Sequence, residues 1–118
     1  MALMATTVLI VDDHDAFRSR ARRMLEADGF DVVGEAADGA SGVDAARRLT
    51  PDVVLLDLQL PDTSGFAVAE QLAGVAAIVI TSSHDDDDFG VMARRSGACG
   101  FVCKSDLSGA AIQQLLPS

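Results

Sequence analysis

The sequence has few of the residues that build cross-links or stack on planar cofactors. Among 118 residues there are two cysteines and neither tryptophan nor tyrosine. Cys99 and Cys103 lie four positions apart with no second pair of ligands nearby, so we expect reduced, partly buried thiols rather than a disulfide framework or a zinc site. The motifs GxGxxG and GxxxxGK are also absent, which argues against a mononucleotide- or flavin-binding domain.

Long apolar runs and clustered positive charge are lacking too. No run approaches the ~20 apolar residues that span a bilayer, and residues 1–7 lack the basic start and long apolar centre of a signal peptide. We therefore expect a cytoplasmic protein without membrane contact. The net charge of −9 predicts that this domain does not bind nucleic acid directly, because phosphate contacts require clustered Lys and Arg.

What the sequence does contain is a regular alternation of short apolar runs and amphipathic segments. The length, with 49% hydrophobic residues, suits one domain that buries roughly two-thirds of its unfolded surface. The patterns predict strands at 8–11, 32–33, 53–56, 77–80 and 101–103, and helices at 15–28, 39–49, 66–72, 85–95 and from 105 or 106 to 116. This order predicts a doubly wound α/β domain with a parallel sheet covered on both faces.

The first predicted helix illustrates the pattern. Phe17, Ala21, Met24 and Leu25 recur at helical spacing and predict the buried face. Four charged residues are assigned to the solvent face: Arg18, Arg22, Arg23 and Glu26. Gly29 is expected to end this helix.

Acidic, hydroxyl or basic side chains follow four of the predicted strands directly. Asp12 and Asp13 follow the first strand, Asp57 the third, Thr81 the fourth and Lys104 the fifth. In a doubly wound sheet, ligands bind beyond the carboxyl ends of the strands. If strands one and three are adjacent, about 4.8 Å apart, the three acids form one pocket.

Three clustered carboxylates repel one another, and the usual remedy is a hard divalent cation such as Mg²⁺, which prefers oxygen ligands. A metal, the Lys104 cation and the Thr81 hydroxyl around a carboxylate suit phosphoryl oxygens. On this interpretation Asp57 is a nucleophile whose product is an acyl phosphate. Each acid alone is more simply a strand end or helix cap, but the joint set favours a functional site.

The only low-complexity segment is the acidic run at 85–88. Acids at a helix N-terminus interact favourably with the helix dipole. Adjacent residues on a helix also point in different directions, which favours this explanation over a metal site.

Taken together, the segments VLIVDDH, VVLLDLQLP with Gly65, IVITS and GFVCK resemble the receiver domain of two-component response regulators. The stretch VDDHDAFRSRARRMLEADGFDVVGEAADG resembles the NarL/FixJ (LuxR-type) subfamily. The resemblance implies a flavodoxin-like fold with five helices around a single five-stranded parallel sheet in the order 2-1-3-4-5. It also implies that residues 1–118 form one receiver domain with no output domain in this chain, either standing alone or as a fragment of a longer regulator.

The resemblance further implies roles for individual residues. Asp57 would be the phosphoacceptor, and Mg²⁺ would be bound by Asp12, Asp13, Asp57 and the backbone carbonyl of Gln59. Thr81 and Lys104 would assist phosphoryl transfer.

Thr81 and Phe101 would form the conformational switch. Phe101 stands where the family often has Tyr, so this switch would act through ring burial alone. Gln59 and Ser83 match positions that tune dephosphorylation. His14 matches the residue after the acid pair, and an exposed histidine at a helix start explains it equally well.

The implied partners are a cognate histidine kinase and a second copy of the chain, which would form a homodimer on phosphorylation. Apolar residues of the last predicted helix are one candidate surface, although core burial explains most of them: Leu107, Ile112, Leu115 and Leu116. The implied output is DNA-binding transcription regulation. The domain would not be an enzyme, beyond self-catalysed phosphoryl transfer and slow autodephosphorylation.

Two other functions are compatible with some of these features. The haloacid dehalogenase type of Mg²⁺-dependent phosphohydrolase places its nucleophile after strand one in a DxDxT-like motif, which VDDHDA does not match. A receiver that acts only as a phosphorylation-independent protein-interaction module is the remaining alternative.

Overall fold

A computed structural model describes residues 5–117. Its five parallel strands form one sheet in the order β2-β1-β3-β4-β5. The strands are β1 Thr7–Val11, β2 Asp31–Ala36, β3 Val53–Asp57, β4 Ala77–Ser82 and β5 Gly100–Cys103; the helices are α1 Asp15–Ala27, α2 Gly39–Leu49, α3 Gly65–Leu72, α4 Asp87–Arg95 and α5 Gly109–Leu115. The predicted doubly wound, flavodoxin-like fold with strand order 2-1-3-4-5 and five helices is confirmed. Residues 1–4 and 118, which bear on the predictions about a signal peptide and an output domain, lie outside the described residues.

Alternate residues of the central strands point to two separate cores. In β1, Val8 and Ile10 pack with α1 and α5, whereas Leu9 and Val11 pack with α2, α3 and α4. Both pairs are fully buried, as expected for a parallel strand covered on both faces. The two-sided burial fixes the register of the sheet, and with it the place where each strand ends.

Helix ends follow the predicted signals. Gly29 follows α1 with a φ of 93°, a conformation that glycine adopts without steric cost. In the acidic run, the Asp86 side chain accepts a hydrogen bond from the Asp88 amide, and Asp87 opens α4. The structure therefore places this run at a helix N-terminus, as the sequence predicts.

The start of the last helix was predicted too early. A 3₁₀ turn occupies Lys104–Asp106, and α5 begins only at Gly109. The Ser108 side chain caps α5 by accepting from the Ala111 amide, and the Gly109 amide donates to the Asp28 carboxylate at 2.9 Å. Serine is a favoured N-cap, so the helix starts there and Lys104 stays beside the end of β5.

The second strand is longer than predicted. It extends to Ala36 because Gly34, Glu35 and Ala36 pair with β1 after a register shift. Periodicity misses this part because its glycine and its charged residue lie at the edge of the sheet, where burial is incomplete. Among residues 5–117, no helix has the length and apolar character needed to cross a lipid bilayer.

Candidate functional site

Asp12, Asp57 and Thr81 are buried polar side chains that lie together at the carboxyl edge of the central strands. The register between β3 and β4 places Asp57 directly beside Thr81, and Asp12 follows the last residue of the neighbouring β1. Asp12 and Thr81 are fully buried, and Asp57 is 4% exposed. Burying polar groups is unfavourable unless they are paired, so these three residues mark the site.

Lys104 supplies positive charge to both of these carboxylates, Asp12 and Asp57. Its Nζ lies 2.6 Å from Asp12 Oδ2 and 3.7 Å from Asp57 Oδ2. The contact between Lys104 and Asp12 is a close, buried ion pair. The single ammonium is closer to Asp12, so the negative charge of Asp57 is only partly compensated.

The pKa of Asp57 shows this imbalance. The pKa of Asp57 is raised to about 6, mainly by burial of the carboxyl and then by the negative charge of Asp12, with a smaller contribution from Asp13. The Lys104 ammonium and the hydrogen bond from the Gln59 amide act in the opposite direction. Desolvation disfavours a charged carboxyl, and a neighbouring carboxylate adds repulsion. At neutral pH Asp57 is mostly ionised, and it gains from any further cation near its oxygens.

The arrangement of acids fits a small, hard cation. One ligand atom from each of Asp12, Asp13, His14 and Asp57 lies within 4.8 Å of the others. Carboxylate oxygens are the ligands that Mg²⁺ prefers, whereas the imidazole nitrogen of His14 is not. Gln59 and Asp13 line an open cleft of about 310 Å³ next to Asp57. The site therefore has oxygen donors and space for metal-bound water.

His14 lies at the start of α1 and is 65% exposed in its side chain, as a histidine at a helix start would be. Its Nδ1 is also 2.9 Å from Asp12 Oδ1 and 3.1 Å from Asp13 Oδ1. In addition, the His14 backbone amide donates to Asp12 Oδ1 at 2.8 Å. His14 thus contributes to holding both acids.

The two predicted switch residues occupy different surroundings. The Thr81 Oγ1 atom is buried and has no hydrogen-bond partner within residues 5–117. Phe101 is half-buried on β5, and its ring meets that of Phe89 on α4 edge to face, with centroids 5.2 Å apart. Thr81 can therefore bond a new acceptor in the site, and Phe101 contacts the helix that follows β4.

The loop after Asp57 is held by backbone contacts. A Cβ at Gly65 would lie 2.5 Å from the Asp57 carbonyl oxygen, so only glycine allows this close approach. Asp62 accepts from the amides of Gly39 and Ala40 at 2.8 and 3.0 Å, and these bonds lower the pKa of Asp62. The loop that carries Gln59 is thereby tied to the N-terminus of α2.

The helical pattern predicts Arg18 on the solvent face of α1, and the structure contradicts this. The Arg18 side chain is only 15% exposed. Its Nη1 donates to the Asp12 carbonyl at 2.5 Å and its Nε to Glu35 at 3.1 Å, while Arg22 reaches the same carboxylate at 2.7 Å. Helical periodicity alone misses this contact because Glu35 lies in the part of β2 that was not predicted.

Comparison with known proteins agrees with this geometry. The family model described as response regulator receiver domain matches residues 8–115. The nitrate/nitrite response regulator NarP of Escherichia coli K12 is 44% identical over 101 residues, which cover 82% of this chain and 47% of that protein. The positive transcription regulator BvgA of Bordetella pertussis is 34% identical over 106 residues, 87% of this chain and 51% of that protein.

Solved structures show the same relationship. The signal receiver domain of the response regulator NarL from Mycobacterium tuberculosis superposes with a TM-score of 0.85 at 30% identity, covering 96% of this chain and 98% of that one. A LuxR-family response regulator from Aurantimonas gives 0.83 at 36% identity, covering 94% and 81%. The chain spans about half the length of the curated relatives it matches. It belongs to the response regulator receiver domain family of two-component systems, among the NarL-type, LuxR-family members.

Proposed function

We propose that this domain accepts a phosphoryl group on Asp57 from the phosphohistidine of a cognate histidine kinase in the cytoplasm. The change in conformation that follows would control an output domain that regulates transcription by binding DNA. The observation that carries the proposal is the placement of Asp57. It is a buried carboxylate beside Asp12, the Lys104 ammonium and a Thr81 hydroxyl without a partner.

The acids fit Mg²⁺, and we propose that Asp12, Asp13, Asp57 and the Gln59 carbonyl would hold it. When bound, the ion would offset negative charge on the carboxylates and the incoming phosphoryl oxygens. The pKa of Asp57, raised to about 6, supports this reading because the site gains from an added cation.

In the proposed reaction, an ionised oxygen of Asp57 attacks phosphorus. The P–N bond to the donor histidine breaks as the new P–O bond forms, and the electron pair stays on the imidazole nitrogen, which is protonated from solvent. Lys104, 3.7 Å from Asp57 Oδ2, would pair with a phosphoryl oxygen, and Thr81 would donate its hydroxyl hydrogen. The phosphoryl group stays on the chain until water slowly removes it, so the domain is a phosphoacceptor rather than a turnover enzyme.

The response to phosphorylation follows from the same contacts. Thr81 would move toward the phosphoryl group, and the loop after β4 would repack against Phe101. This repacking would change the shape of the face formed by α4 and β5 and favour a homodimer. The Phe89–Phe101 contact supports such a route because it links β5 to α4 directly.

Intact-protein mass spectrometry after incubation with acetyl phosphate tests the proposal. We expect one phosphoryl adduct that requires Mg²⁺, disappears in Asp57→Asn and persists in Asp44→Asn. Asp44 is a suitable control because its carboxylate lies on α2, 80% exposed. A protein that binds Mg²⁺ without forming the adduct would instead be a phosphorylation-independent interaction module.

A further inference from the structure

The ring of Phe17 lies against the ammonium of Lys104. Lys104 Nζ is 4.3 Å from the ring centroid, within the ~6 Å range of a cation–π interaction. Phe17 is on α1 and is 6% exposed. The guanidinium of Arg20, an exposed residue of the same helix, is farther from the ring centroid, at 5.9 Å.

The ammonium has its partners on two sides. Asp12 and Asp57 lie at 2.6 and 3.7 Å, and the centroid of the Phe17 ring lies at 4.3 Å. The Lys104 side chain is 13% exposed, so little water is available to replace any of these partners. A cation–π contact is stronger when it is desolvated in this way.

The position of Lys104 in the chain makes this contact important. Lys104 begins the 3₁₀ turn after β5, and its side chain is a flexible four-carbon stem that ends in a point charge. The carboxylates attract the charge but do not fix it between them. The ring limits how far the ammonium can move toward α1.

We propose that Phe17 is a positioning residue of the phosphoryl-transfer site, whose ring face holds the Lys104 ammonium between Asp12 and Asp57. The inference rests on the proposed phosphorylation of Asp57. Phe17 also packs in the core between α1 and the sheet, so the test must separate the electrostatic effect of the ring from its volume.

The first comparison uses matched leucine substitutions. Phe30 belongs to the same core cluster as Phe17 and is 8% exposed. Within residues 5–117, no cation lies over the Phe30 ring. We expect Phe17→Leu to slow phosphorylation by acetyl phosphate about three- to tenfold, and Phe30→Leu to leave the rate within about twofold of wild type. Equal rates in the two variants would overturn the proposal.

The second comparison keeps the ring and changes its charge distribution. Fluorinated phenylalanines placed at position 17 alone weaken the negative ring face in steps with little change in size. We expect the phosphorylation rate to fall stepwise with fluorination and to approach that of Phe17→Leu for the pentafluoro ring. A rate that does not depend on fluorination would show that Phe17 contributes packing only.

A third measurement does not depend on phosphorylation. Lys104 is the only lysine in the chain, so isotope-labelled lysine gives one set of NMR side-chain signals. We expect its ε-methylene protons to be shifted upfield by the ring in wild type and Phe30→Leu, and to lose that shift in Phe17→Leu. If wild type accepts no phosphoryl group, the proposed function fails, but the NMR measurement still tests the position of Lys104. An upfield shift of the Lys104 signals that decreases with fluorination of the Phe17 ring supports the positioning role. Lys104 signals that do not change between wild type and the Phe17 variants overturn it.

Discussion

At the scale of single residues, Asp57 combines burial with incomplete charge compensation. Its carboxylate has Asp12 as a neighbour, while the shared cation lies closer to Asp12 than to Asp57. A site of this kind disfavours the charged form, so a negative charge at position 57 lowers stability when no metal is bound. The loss of folding stability caused by this charge therefore depends on pH in a defined way.

Asp57→Asn should increase the free energy of unfolding at pH 8 by about 1–3 kcal/mol in the absence of divalent ions. The pKa of Asp57 is about 6 in the folded state and 3.8 in an unperturbed carboxyl. Wild type therefore loses stability relative to the variant as the pH rises from about 4 to 6, and the difference vanishes below about pH 4. Urea unfolding of both proteins across this range measures it; a constant difference would contradict the assignment.

Thr81 allows stability and chemistry to be separated. Its buried hydroxyl has no partner within residues 5–117, so Thr81→Val should keep or raise the free energy of unfolding by about 1 kcal/mol. The same change should slow phosphorylation by about tenfold or more, because a donor to the phosphoryl oxygens is lost. Thr81→Ser should show the opposite pattern, with about 1 kcal/mol less stability and near-normal phosphorylation. Denaturant curves and adduct rates for both variants test this.

The sequence predicted more about strand ends than about side-chain contacts. Asp12, Asp57, Thr81 and Lys104 could be placed together because a parallel sheet brings the carboxyl ends of its strands to one edge. The contact between Phe17 and Lys104 could not be predicted in this way. Periodicity assigns Phe17 to the core but does not show which residue of a distant strand its ring will meet.

At the scale of elements, α1 is joined to the sheet by more than its apolar face. Arg18 connects the Asp12 carbonyl, Asp15 at the start of α1, and Glu35 on β2. These bonds hold the backbone that carries the acid pair. They tie the proposed metal site to the edge strand of the sheet.

Arg18→Met should lower the free energy of unfolding by about 1–2 kcal/mol and raise the Mg²⁺ concentration needed for half-maximal stabilisation. Arg23→Met is the matched control, because Arg23 is exposed on the same helix, and it should change stability by less than about 0.5 kcal/mol. Urea unfolding at increasing Mg²⁺ measures both quantities. Indistinguishable behaviour of the two variants would show that Arg18 does not support the site.

Element boundaries were predicted well where a local signal dominates and poorly where tertiary contacts decide. Gly29 ends α1 as its sequence pattern predicts. The start of α5 depends on the Ser108 cap and on the bond from the Gly109 amide to Asp28, which comes from the far end of α1. An apolar periodicity that continues through Leu107 gives no indication of that contact.

At the scale of the whole molecule, the two-sided burial of β1 and β3 fixes the sheet order and thereby assembles the site. The apolar residues in and around α5 are largely used by the core: Ile112 is fully buried, and Leu107, Leu115 and Leu116 pack against the same cluster. Among the described residues, the large exposed apolar side chains are Val75, Val91 and Met92. The last two lie on α4, next to the proposed switch.

Beryllofluoride with Mg²⁺, which mimics a phosphoryl group on an aspartate, should double the sedimentation mass of the wild-type chain if phosphorylation drives dimerisation. Asp57→Asn should remain at the mass of one chain because it cannot hold the mimic in the same way. Sedimentation equilibrium measures both proteins under identical conditions. An unchanged mass for wild type would count against the homodimer.

The central claim is that Asp57 carries the phosphoryl group, and chemical trapping of the acyl phosphate tests it most directly. Borohydride reduces an aspartyl phosphate to homoserine, so peptide sequencing after acetyl phosphate and borohydride treatment identifies the residue that was phosphorylated. The account predicts homoserine at position 57 alone, and only when Mg²⁺ was present. Homoserine at another aspartate, or none in a protein that carries a phosphoryl adduct, would contradict it.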